Sequence, residues 1–329
     1  MNNILITILN MSLTGVFVIT VICAARFALK KFPKIISYCL WGVVGFRLVF
    51  PFSIESAWSL IPFNAQIISS DMAMSQALQG VPLVGGAVYG DPVQLWITIG
   101  LSVWLLGVAV MLLYGVLSYV ILRRKLKGAV HAGTNIYEAQ MIKTPFVFGI
   151  FSPKIFLPDN LTAGERKYIV LHEQTHIKRR DHVIKCAAYL ILCVHWFNPL
   201  VWLAFVLMSM DMEMSCDESV LKELGGEPKR EYSMVLLSLA SERRVINGGI
   251  PAFGDGNIKA RISNVLRLKK QSRAVSCVLM ALVVALSLGL AVNSIAVGYI
   301  SSEFGQYDDA GGMPTDASDF VFERWQCCD

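Results

Sequence analysis

The sequence LHEQTH at residues 171–176 carries the strongest chemical signal in this chain. On a helix, His172 and His176 lie one turn apart and point the same way, so both imidazoles can reach one Zn²⁺ ion. Glu173 lies beside them, where its carboxylate can take a proton from water at the metal and pass it to the leaving amine. The HExxH pattern therefore predicts a helix with two zinc ligands and a catalytic base, although a polar helix face can match it by accident.

A catalytic zinc site usually takes a third protein ligand from elsewhere in the chain. Glu213 is the best candidate, and Asp217 follows it one turn later on the same face of a predicted helix. Asp217 is placed to accept the free ring N–H of a liganding histidine and so fix its tautomer. Asp181 can do the same, but its two basic neighbours fit a surface ion pair equally well.

Two other residues compete with Glu213 as the third ligand. His182 has the spacing of the HExxHxxGxxH pattern, in which a glycine turns the chain back to the metal. Arg179 occupies that glycine position here, so we expect the helix to continue and to carry His182 away from the zinc face. Cys216 can bind zinc as well, although a lone cysteine on an apolar helix more often serves packing.

The composition predicts a membrane protein. The chain has 329 residues, of which 55% are hydrophobic and 16% charged, and its mean hydropathy is +0.55. That is more apolar than a water-soluble globular protein. A membrane-crossing helix needs about 20 mostly apolar residues, and we predict four such helices, at about 4–25, 35–54, 93–122 and 274–298.

The distribution of basic residues predicts the orientation of these helices. Of the 29 Lys and Arg residues, 27 lie in 26–34 and 123–273. Because cytoplasmic segments are enriched in Lys and Arg, we expect these two segments inside the cell and both termini outside. The net charge of +5 then reflects membrane topology, so we predict a lipid-bilayer partner and no direct contact with nucleic acid.

The apolar stretch 183–210 cannot be an ordinary fifth span. A single crossing would place His172 and Glu213 on opposite sides of the membrane. Asn198-Pro199 divides the stretch into arms of about 15 and 11 residues, each too short to cross as a helix. We therefore predict a re-entrant or interfacial helical hairpin, with a helical pair in a water-soluble core as the alternative.

The segment TPFVFGIFSPKIFLP at 144–158 is rich in aromatic and β-branched residues and is interrupted by Pro and Gly, which predicts two short strands. The prolines mark an edge of a sheet, because they cannot donate into a central ladder. Peptidases commonly bind substrate as an added strand along such an edge. We predict Phe146, Val147, Phe148 and Gly149 as substrate-binding residues, although a sheet that only supports the helix explains any single one equally well.

With these pieces assembled, the chain resembles the BlaR/MecR-type membrane metallopeptidases, the sensor-transducers of β-lactam resistance. The resemblance covers about 1–298 and rests on TPFVFGIFSPKIFLP, LHEQTHIKRRDH, HWFNPLVW and DMEMSCDESVL, in that order. It implies a cytoplasmic gluzincin-type domain with one Zn²⁺ held by His172, His176 and Glu213, and with Glu173 as the base. It also implies that a signal crosses the membrane and leads to cleavage of the protein itself and of a BlaI/MecI-type repressor.

The chain departs from this family in one large respect. Antibiotic-sensing members carry a penicillin-binding domain after the last span, where this chain has only 299–329. Ser219-Val220-Leu221-Lys222 matches the S-x-x-K signature by letters, but the accompanying S-D-N and K-T-G motifs are absent from the sequence. We therefore expect this chain, which lacks that C-terminal sensor domain, not to sense β-lactams in the usual way unless it is truncated or a partner supplies the sensor.

The predicted fold is a mainly α membrane protein with a cytoplasmic, gluzincin-like α+β zinc peptidase domain. Its predicted parts are a membrane region at 1–122 with three helices, the peptidase domain at 123–273, a fourth membrane helix at 274–298 and an extracytoplasmic tail at 299–329. Two other functions stay open: a quality-control or processing zinc peptidase, and a non-catalytic receptor or scaffold. A homodimer and the role of Cys327 and Cys328 also stay open, and the basic segment 259–273 is a predicted accessible site of self-cleavage.

Overall fold

The computed structural model describes residues 2–50, 92–140, 142, 144–225, 228–246, 255–268 and 273–291. These residues form the helices α1 (Asn2–Ala28), α2 (Lys34–Val49), α3 (Pro92–Lys125), α4 (Ala163–Arg179), α5 (Asp181–Val194), α6 (Pro199–Glu223), α7 (Lys229–Ile246), α8 (Asp255–Arg267) and α9 (Arg273–Ala291). They also form the strands β1 (Val130–Gly133), β2 (Ile136–Glu138), β3 (Phe146–Phe148) and β4 (Lys154–Leu157). The predicted outer loop, the end of the fourth span and the C-terminal tail lie outside the described residues.

Within the described part of the chain, three helices are long and apolar enough to cross a membrane, namely Ile4–Lys31, Leu95–Gly128 and Pro199–Glu223. The first two coincide with the predicted spans at 4–25 and 93–122. Helix α2 has only 16 residues, and α9 carries a shorter apolar stretch. Membrane crossing by α2 and α9 therefore stays a prediction.

Helices α5 and α6 form the predicted hairpin, with its bend at 195–198. Asn198 begins α6 by accepting a hydrogen bond from the Leu200 amide at 3.0 Å, and Pro199 occupies the first helical turn, where its missing N–H is harmless. The predicted length of the second arm, about 11 residues, is wrong, because α6 has 25 residues and ends only at Glu223. No Gly or Pro between 200 and 223 interrupts it.

Helix α6 packs parallel to α1, and two contacts join their corresponding ends. Near the bend, the Asn198 amide donates to Ser12 Oγ at 2.7 Å. At the other end, Arg26 Nε donates to Asp211 Oδ2 at 2.8 Å. The rise along α1 from Ser12 to Arg26 is about 21 Å, roughly two thirds of a bilayer core. Helix α6 is also long and apolar enough to cross a membrane, so the expectation that neither arm could cross is wrong for this arm, and the re-entrant path of the hairpin stays a prediction.

Two side-chain hydrogen bonds to backbone carbonyls join the bend to neighbouring helices. The Trp104 indole N–H of α3 donates to the Val194 carbonyl at 2.8 Å. The buried His195 has its Nε2 3.0 Å from the Leu48 carbonyl of α2. Carbonyl groups at a helix end have no partner within the helix. The α3 indole therefore satisfies the end of α5, and His195 of the bend satisfies the end of α2.

A small sheet supports the helix that carries residues 171–176. Its strand order is β1-β2-β4-β3, with β2 and β4 parallel and the other two pairs antiparallel. The two predicted strands are β3 and β4, and β3 lies at an edge as predicted; β1 and β2 were not predicted. Helix α4 packs on this sheet through Ile169, which contacts the buried Ile155 and Leu157.

Both ends of α4 have identifiable causes. Thr162 begins the helix with a capping box, in which its hydroxyl accepts from the Glu165 amide while the Glu165 carboxylate accepts from the Thr162 amide. The helix ends at Arg179, because Arg180 adopts a left-handed conformation with φ of 59°. The prediction that α4 continues past Arg179 is therefore wrong, and a new helix starts at Asp181.

Candidate metal centre

The two histidines of the HExxH pattern meet at their outer ring nitrogens. His172 Nε2 and His176 Nε2 are 3.1 Å apart. Glu213 Oε2 from α6 lies 3.5 Å from the first and 3.8 Å from the second. Nitrogen and oxygen ligands about 2.0–2.2 Å from a tetrahedral zinc ion are separated by roughly 3.3 Å. The three donor atoms therefore fit one Zn²⁺ ion.

Cys216 and His182, the alternatives to Glu213, lie in different positions. The Cys216 sulfur and the ring nitrogens of His172 and His176 lie within 4.8 Å of one another, so the cysteine stays a second candidate donor. His182 has its Nε2 3.3 Å from the Ile150 carbonyl, in the turn that joins β3 and β4. The structure therefore brings Glu213 and Cys216 to the histidine pair and turns His182 towards the sheet.

Asp181 orients His176 from the other side of the ring. Its Oδ2 lies 2.7 Å from His176 Nδ1, and its Oδ1 accepts a hydrogen bond from the Tyr38 hydroxyl of α2 at 3.1 Å. The Asp181 side chain is only 2% exposed and also lies 3.4 Å from Arg179 Nε, so the ion pair considered from the sequence is present but buried, together with the His176 contact. The left-handed Arg180 produces this contact, because it turns the chain back before α5 begins.

Tyr232 of α7 orients His172, and sequence reasoning missed this residue. The Tyr232 hydroxyl lies 2.9 Å from His172 Nδ1 and donates to Asp217 Oδ1 at 2.7 Å. Asp217 Oδ1 itself is 3.4 Å from the same nitrogen, so the carboxylate acts on His172 mainly through the tyrosine. A proton on Nδ1 of both histidines leaves each Nε2 lone pair free for a metal.

Arg261 of α8 is the second residue that sequence reasoning missed. Its Nε and Nη2 donate to the two oxygens of Asp217 at 2.8 and 2.7 Å, and its Nη1 lies 3.1 Å from Glu213 Oε2. One signal in the sequence indicates that Arg261 is buried, which is its position on the apolar stripe of α8 with Ile258 and Val265.

The first part of the predicted self-cleavage segment 259–273 is helical, with Val265 buried and Lys259 and Arg267 exposed. Self-cleavage in this segment therefore stays a prediction.

The groups around His172 favour a positive charge at this position. Burial alone would lower the pKa of His172, but the neighbouring Cys216 and Glu213 raise it to about 10 instead. Burial also raises the pKa of the Glu173 carboxyl above its usual range, because a charged carboxylate is poorly solvated there. Glu173 is 7% exposed, so its carboxyl is held in a dry environment suited to accepting a proton.

A cavity of about 420 Å³ joins the histidines to the edge strand. Phe146 and Val147 of β3 line it together with His172 and Glu173. Phe148 instead stacks on Tyr119 of α3, with ring centroids 4.8 Å apart. Of the four predicted substrate-binding residues, the structure therefore brings two to the cavity wall.

Gly149 has a conformational role. Its φ is 108°, and a Cβ atom there would lie 2.6 Å from the Ser152 carbonyl oxygen. A side chain cannot fit at that distance, so the tight turn between β3 and β4 requires glycine.

A buried ionic contact ties the candidate centre to the N-terminal helices. Asp211 of α6 is fully buried, and it accepts hydrogen bonds from Arg26 Nε of α1 and from the Trp41 indole of α2 at 2.9 Å. Asp211 precedes Glu213 by two residues on α6. A shift of α1 or α2 would therefore act on the helix that supplies the candidate third ligand.

Comparison with known proteins finds a matching family and several relatives. The family model described as BlaR1 peptidase M56 matches residues 6–265. The regulatory protein BlaR1 of Bacillus licheniformis is 32% identical over 198 residues, which cover 52% of this chain and 33% of that protein. The methicillin resistance mecR1 protein of Staphylococcus aureus is 29% identical over 139 residues, which cover 40% of this chain and 24% of that protein. The alignments thus span a third or less of these relatives' own length.

Proposed function

We propose that the chain, which belongs to the BlaR1 peptidase M56 family, is a zinc metalloendopeptidase embedded in the cell membrane. We further propose that it transduces a signal by cutting itself, a cytoplasmic BlaI/MecI-type repressor, or both. One observation carries the proposal. The donor atoms of His172, His176 and Glu213 lie within 3.1–3.8 Å of one another, in the wall of a cavity that Glu173 and the edge strand β3 also line. The relatives named BlaR1 and mecR1 support the regulatory part.

His172, His176 and Glu213 are the proposed zinc ligands. Asp181 and the Tyr232–Asp217 pair hold the two imidazoles in the tautomer that leaves Nε2 free. Zn²⁺ in such a site lowers the pKa of water at its open position and polarises a substrate carbonyl. Arg261 contacts two of the proposed donor atoms, because its Nη1 lies 3.1 Å from Glu213 Oε2 and its Nη2 lies 3.4 Å from His172 Nε2, and it thereby holds these donors close together.

Glu173 is the proposed general base. It lies next to the first ligand on α4 and lines the cavity, so its carboxylate faces the space where the scissile bond would lie. Because burial raises its pKa, the carboxylate is a stronger base than an exposed glutamate and can hold the proton that it takes from water. It then returns this proton to the leaving amine.

The edge strand β3 is the proposed substrate-binding element. It pairs with β4 on one side only within the described sheet, and its Phe146 and Val147 line the cavity. An extended peptide added beside β3 would bind through main-chain hydrogen bonds and pass the candidate metal centre. This arrangement favours an unfolded or loop segment of a protein as the substrate.

The test compares wild type with Glu173→Gln, each purified in detergent, for bound zinc and for cleavage of itself and of a BlaI/MecI-type repressor. Glu223→Gln is the matched control, because it removes the same charge from an exposed ion pair with Lys178. We expect zinc in all three proteins and cleavage in wild type and Glu223→Gln only, with a loss of about 10²–10⁴-fold in Glu173→Gln.

Two other outcomes would overturn parts of the proposal. Absence of zinc from wild type would remove the metallopeptidase. Zinc in all three proteins without cleavage, even after addition of the repressor, would favour the receptor or scaffold function instead.

A further inference from the structure

A large cavity lies away from the candidate metal centre, between the end of α1, the middle of α6 and the helix α8. Its volume is about 1500 Å³. The walls combine basic side chains with apolar ones, whereas the smaller cavity at the metal centre contains the histidines and Glu173. The two cavities are therefore chemically different and call for different ligands.

The charges around the larger cavity are strongly unbalanced. Six basic residues line it, namely Arg26, Lys30, Lys31, Lys34, Lys259 and Arg267. Glu218 is the acidic residue among the described lining residues, and its two oxygens already accept from the Lys34 amide and the Asn264 side chain. Arg26 is paired with Asp211. Among the described residues, the remaining five cations form no ion pair within 4.0 Å, although Lys34 is attracted from a distance by Asp211 and Glu218.

The burial of Lys34 independently favours an anionic ligand in this cavity. Lys34 as a whole residue is only 6% exposed. Among the described residues, its ammonium group donates only to the Lys30 carbonyl, at a long 3.4 Å. Asp211 and Glu218 attract this ammonium group from a distance, but neither forms an ion pair with it within 4.0 Å. A negatively charged ligand in direct contact would therefore stabilise it further.

The apolar walls indicate that this ligand also has hydrocarbon. Phe27 and Leu207 line the cavity together with Met210 and Leu266. Phe27 is 78% exposed and lies at the basic end of α1, a helix apolar enough to cross a membrane. A soluble anion such as phosphate would leave these surfaces uncovered, whereas the upper part of an acyl chain would cover them.

We propose that this cavity binds the headgroup of an anionic phospholipid, with the phosphate among Lys30, Lys34 and Lys259 and the acyl chains along Phe27 and α6. Basic pockets between membrane helices on the cytoplasmic side are suited to such headgroups. The proposal uses the membrane location proposed above for α1 but does not depend on peptidase activity.

Lipid binding at this cavity would also act on the metal centre through two shared helices. Helix α8 carries Lys259 and Arg267 in the cavity wall and Arg261 at Asp217. Helix α6 carries Met210 on the same wall and Glu213 three residues further on. A bound lipid would therefore hold α8 against α6 and keep Arg261 at its carboxylates.

The experiment measures lipid binding by native mass spectrometry of the full chain in a non-ionic detergent. The probes are dioleoylphosphatidylglycerol, dioleoylphosphatidylcholine and soluble glycerol 3-phosphate. The test variant is Lys30→Gln/Lys259→Gln/Arg267→Gln, whose three residues are exposed and do not support the fold. The matched control is Arg124→Gln/Lys125→Gln/Lys127→Gln, which removes the same charges from the exposed end of α3.

We expect wild type to retain one phosphatidylglycerol molecule and no phosphatidylcholine. Each basic residue near an anionic lipid contributes about a fivefold factor, so the test variant should bind phosphatidylglycerol roughly 100-fold more weakly. The control should differ from wild type by less than about threefold. Lys34→Met, which removes the buried ammonium group alone, should weaken binding without changing the other five cations.

Three results would overturn the proposal. Equal losses in the test and control triples would indicate general attraction to a charged surface. Glycerol 3-phosphate binding as tightly as phosphatidylglycerol would identify a soluble-anion site. A second copy of the chain that dissociates only in the test triple would identify a protein interface. Because every readout is lipid or mass, none of these results bears on zinc or on cleavage.

Discussion

The candidate metal centre has a local half and a distant half that are built differently. In the local half, His172, Glu173, His176 and Asp181 lie within ten consecutive residues of α4 and α5. In the distant half, Glu213 and Asp217, Tyr232, and Arg261 come from three separate helices, α6, α7 and α8. The local half depends on helix geometry and one turn, whereas the distant half depends on how three helices pack. Substitutions in the two halves should therefore have different effects on zinc binding and on stability.

The largest expected effect is loss of a proposed ligand from either half. His176→Ala and Glu213→Ala should each weaken zinc binding by about 4 kcal/mol, roughly 1000-fold, if a total of about 10–16 kcal/mol is shared among three ligands. Cys216→Ser should keep its zinc. The measurement is a competition titration against a chromophoric chelator at fixed pH. Retention of zinc by Glu213→Ala together with its loss in Cys216→Ser would assign the third ligand to the cysteine.

The next effect is confined to the distant half. Arg261→Met should lower the free energy of unfolding by about 3 kcal/mol, because it leaves the buried Asp217 carboxylate without its cation. The loss should be larger in EDTA, where no metal charge compensates Glu213. Lys178→Met is the control, because its ion pair with Glu223 is exposed and contributes little. Thermal unfolding followed by tryptophan fluorescence, with and without zinc, measures both; equal changes for the two variants would contradict the buried role of Arg261.

A smaller effect compares the partners that orient the two histidines. Asp181→Asn in the local half and Tyr232→Phe in the distant half should each weaken zinc binding by about 10–100-fold, since outer partners of metal ligands contribute that much. Tyr168→Phe is the control, because its hydroxyl bonds to Glu231 at the surface. If Tyr232→Phe behaves like Tyr168→Phe, the tyrosine serves packing and Asp217 acts on His172 directly.

The smallest effect concerns the turn inside the local half. Arg180 is held at φ of 59°, a conformation that disfavours non-glycine residues by about 1–2 kcal/mol. Arg180→Gly relieves that strain but adds freedom to the unfolded chain, so we expect the free energy of unfolding to change by less than about 1 kcal/mol and zinc affinity to stay the same. Arg180→Val should lower both. A strong zinc loss in Arg180→Gly would mean that the arginine side chain itself contributes to the site.

The same contrast explains which predictions the structure supports. The strands β3 and β4 were predicted from their composition and punctuation, because turn residues act on their immediate neighbours. The hairpin bend at Asn198-Pro199 was predicted for the same reason. The end of α4 was not, since nothing in the letters requires Arg180 to adopt a left-handed backbone. That conformation persists because Asp181 is fixed between His176 and Tyr38.

The residues that escaped prediction belong to long-range pairings. Tyr232 lies 60 residues from His172, and Arg261 lies 44 residues from Asp217. Neither residue stands in a recognisable motif. The position of Arg261 on the apolar stripe of α8 was the one indication that its side chain is buried. Asp211 likewise gave no sign that Arg26 and Trp41 would reach it across more than 150 residues.

The sequence by itself determined the spacing of His172, Glu173 and His176 on one helix face and the apolar length of α1 and α3, because helix periodicity and hydropathy depend only on adjacent residues. The tertiary structure alone decided that Tyr232 and Arg261 join the site and that Asp181 orients His176. Such contacts depend on the packing of α6, α7 and α8 against α4. Hydrogen bonds between distant residues form only after burial has brought the helices together, so local patterns carry little information about them.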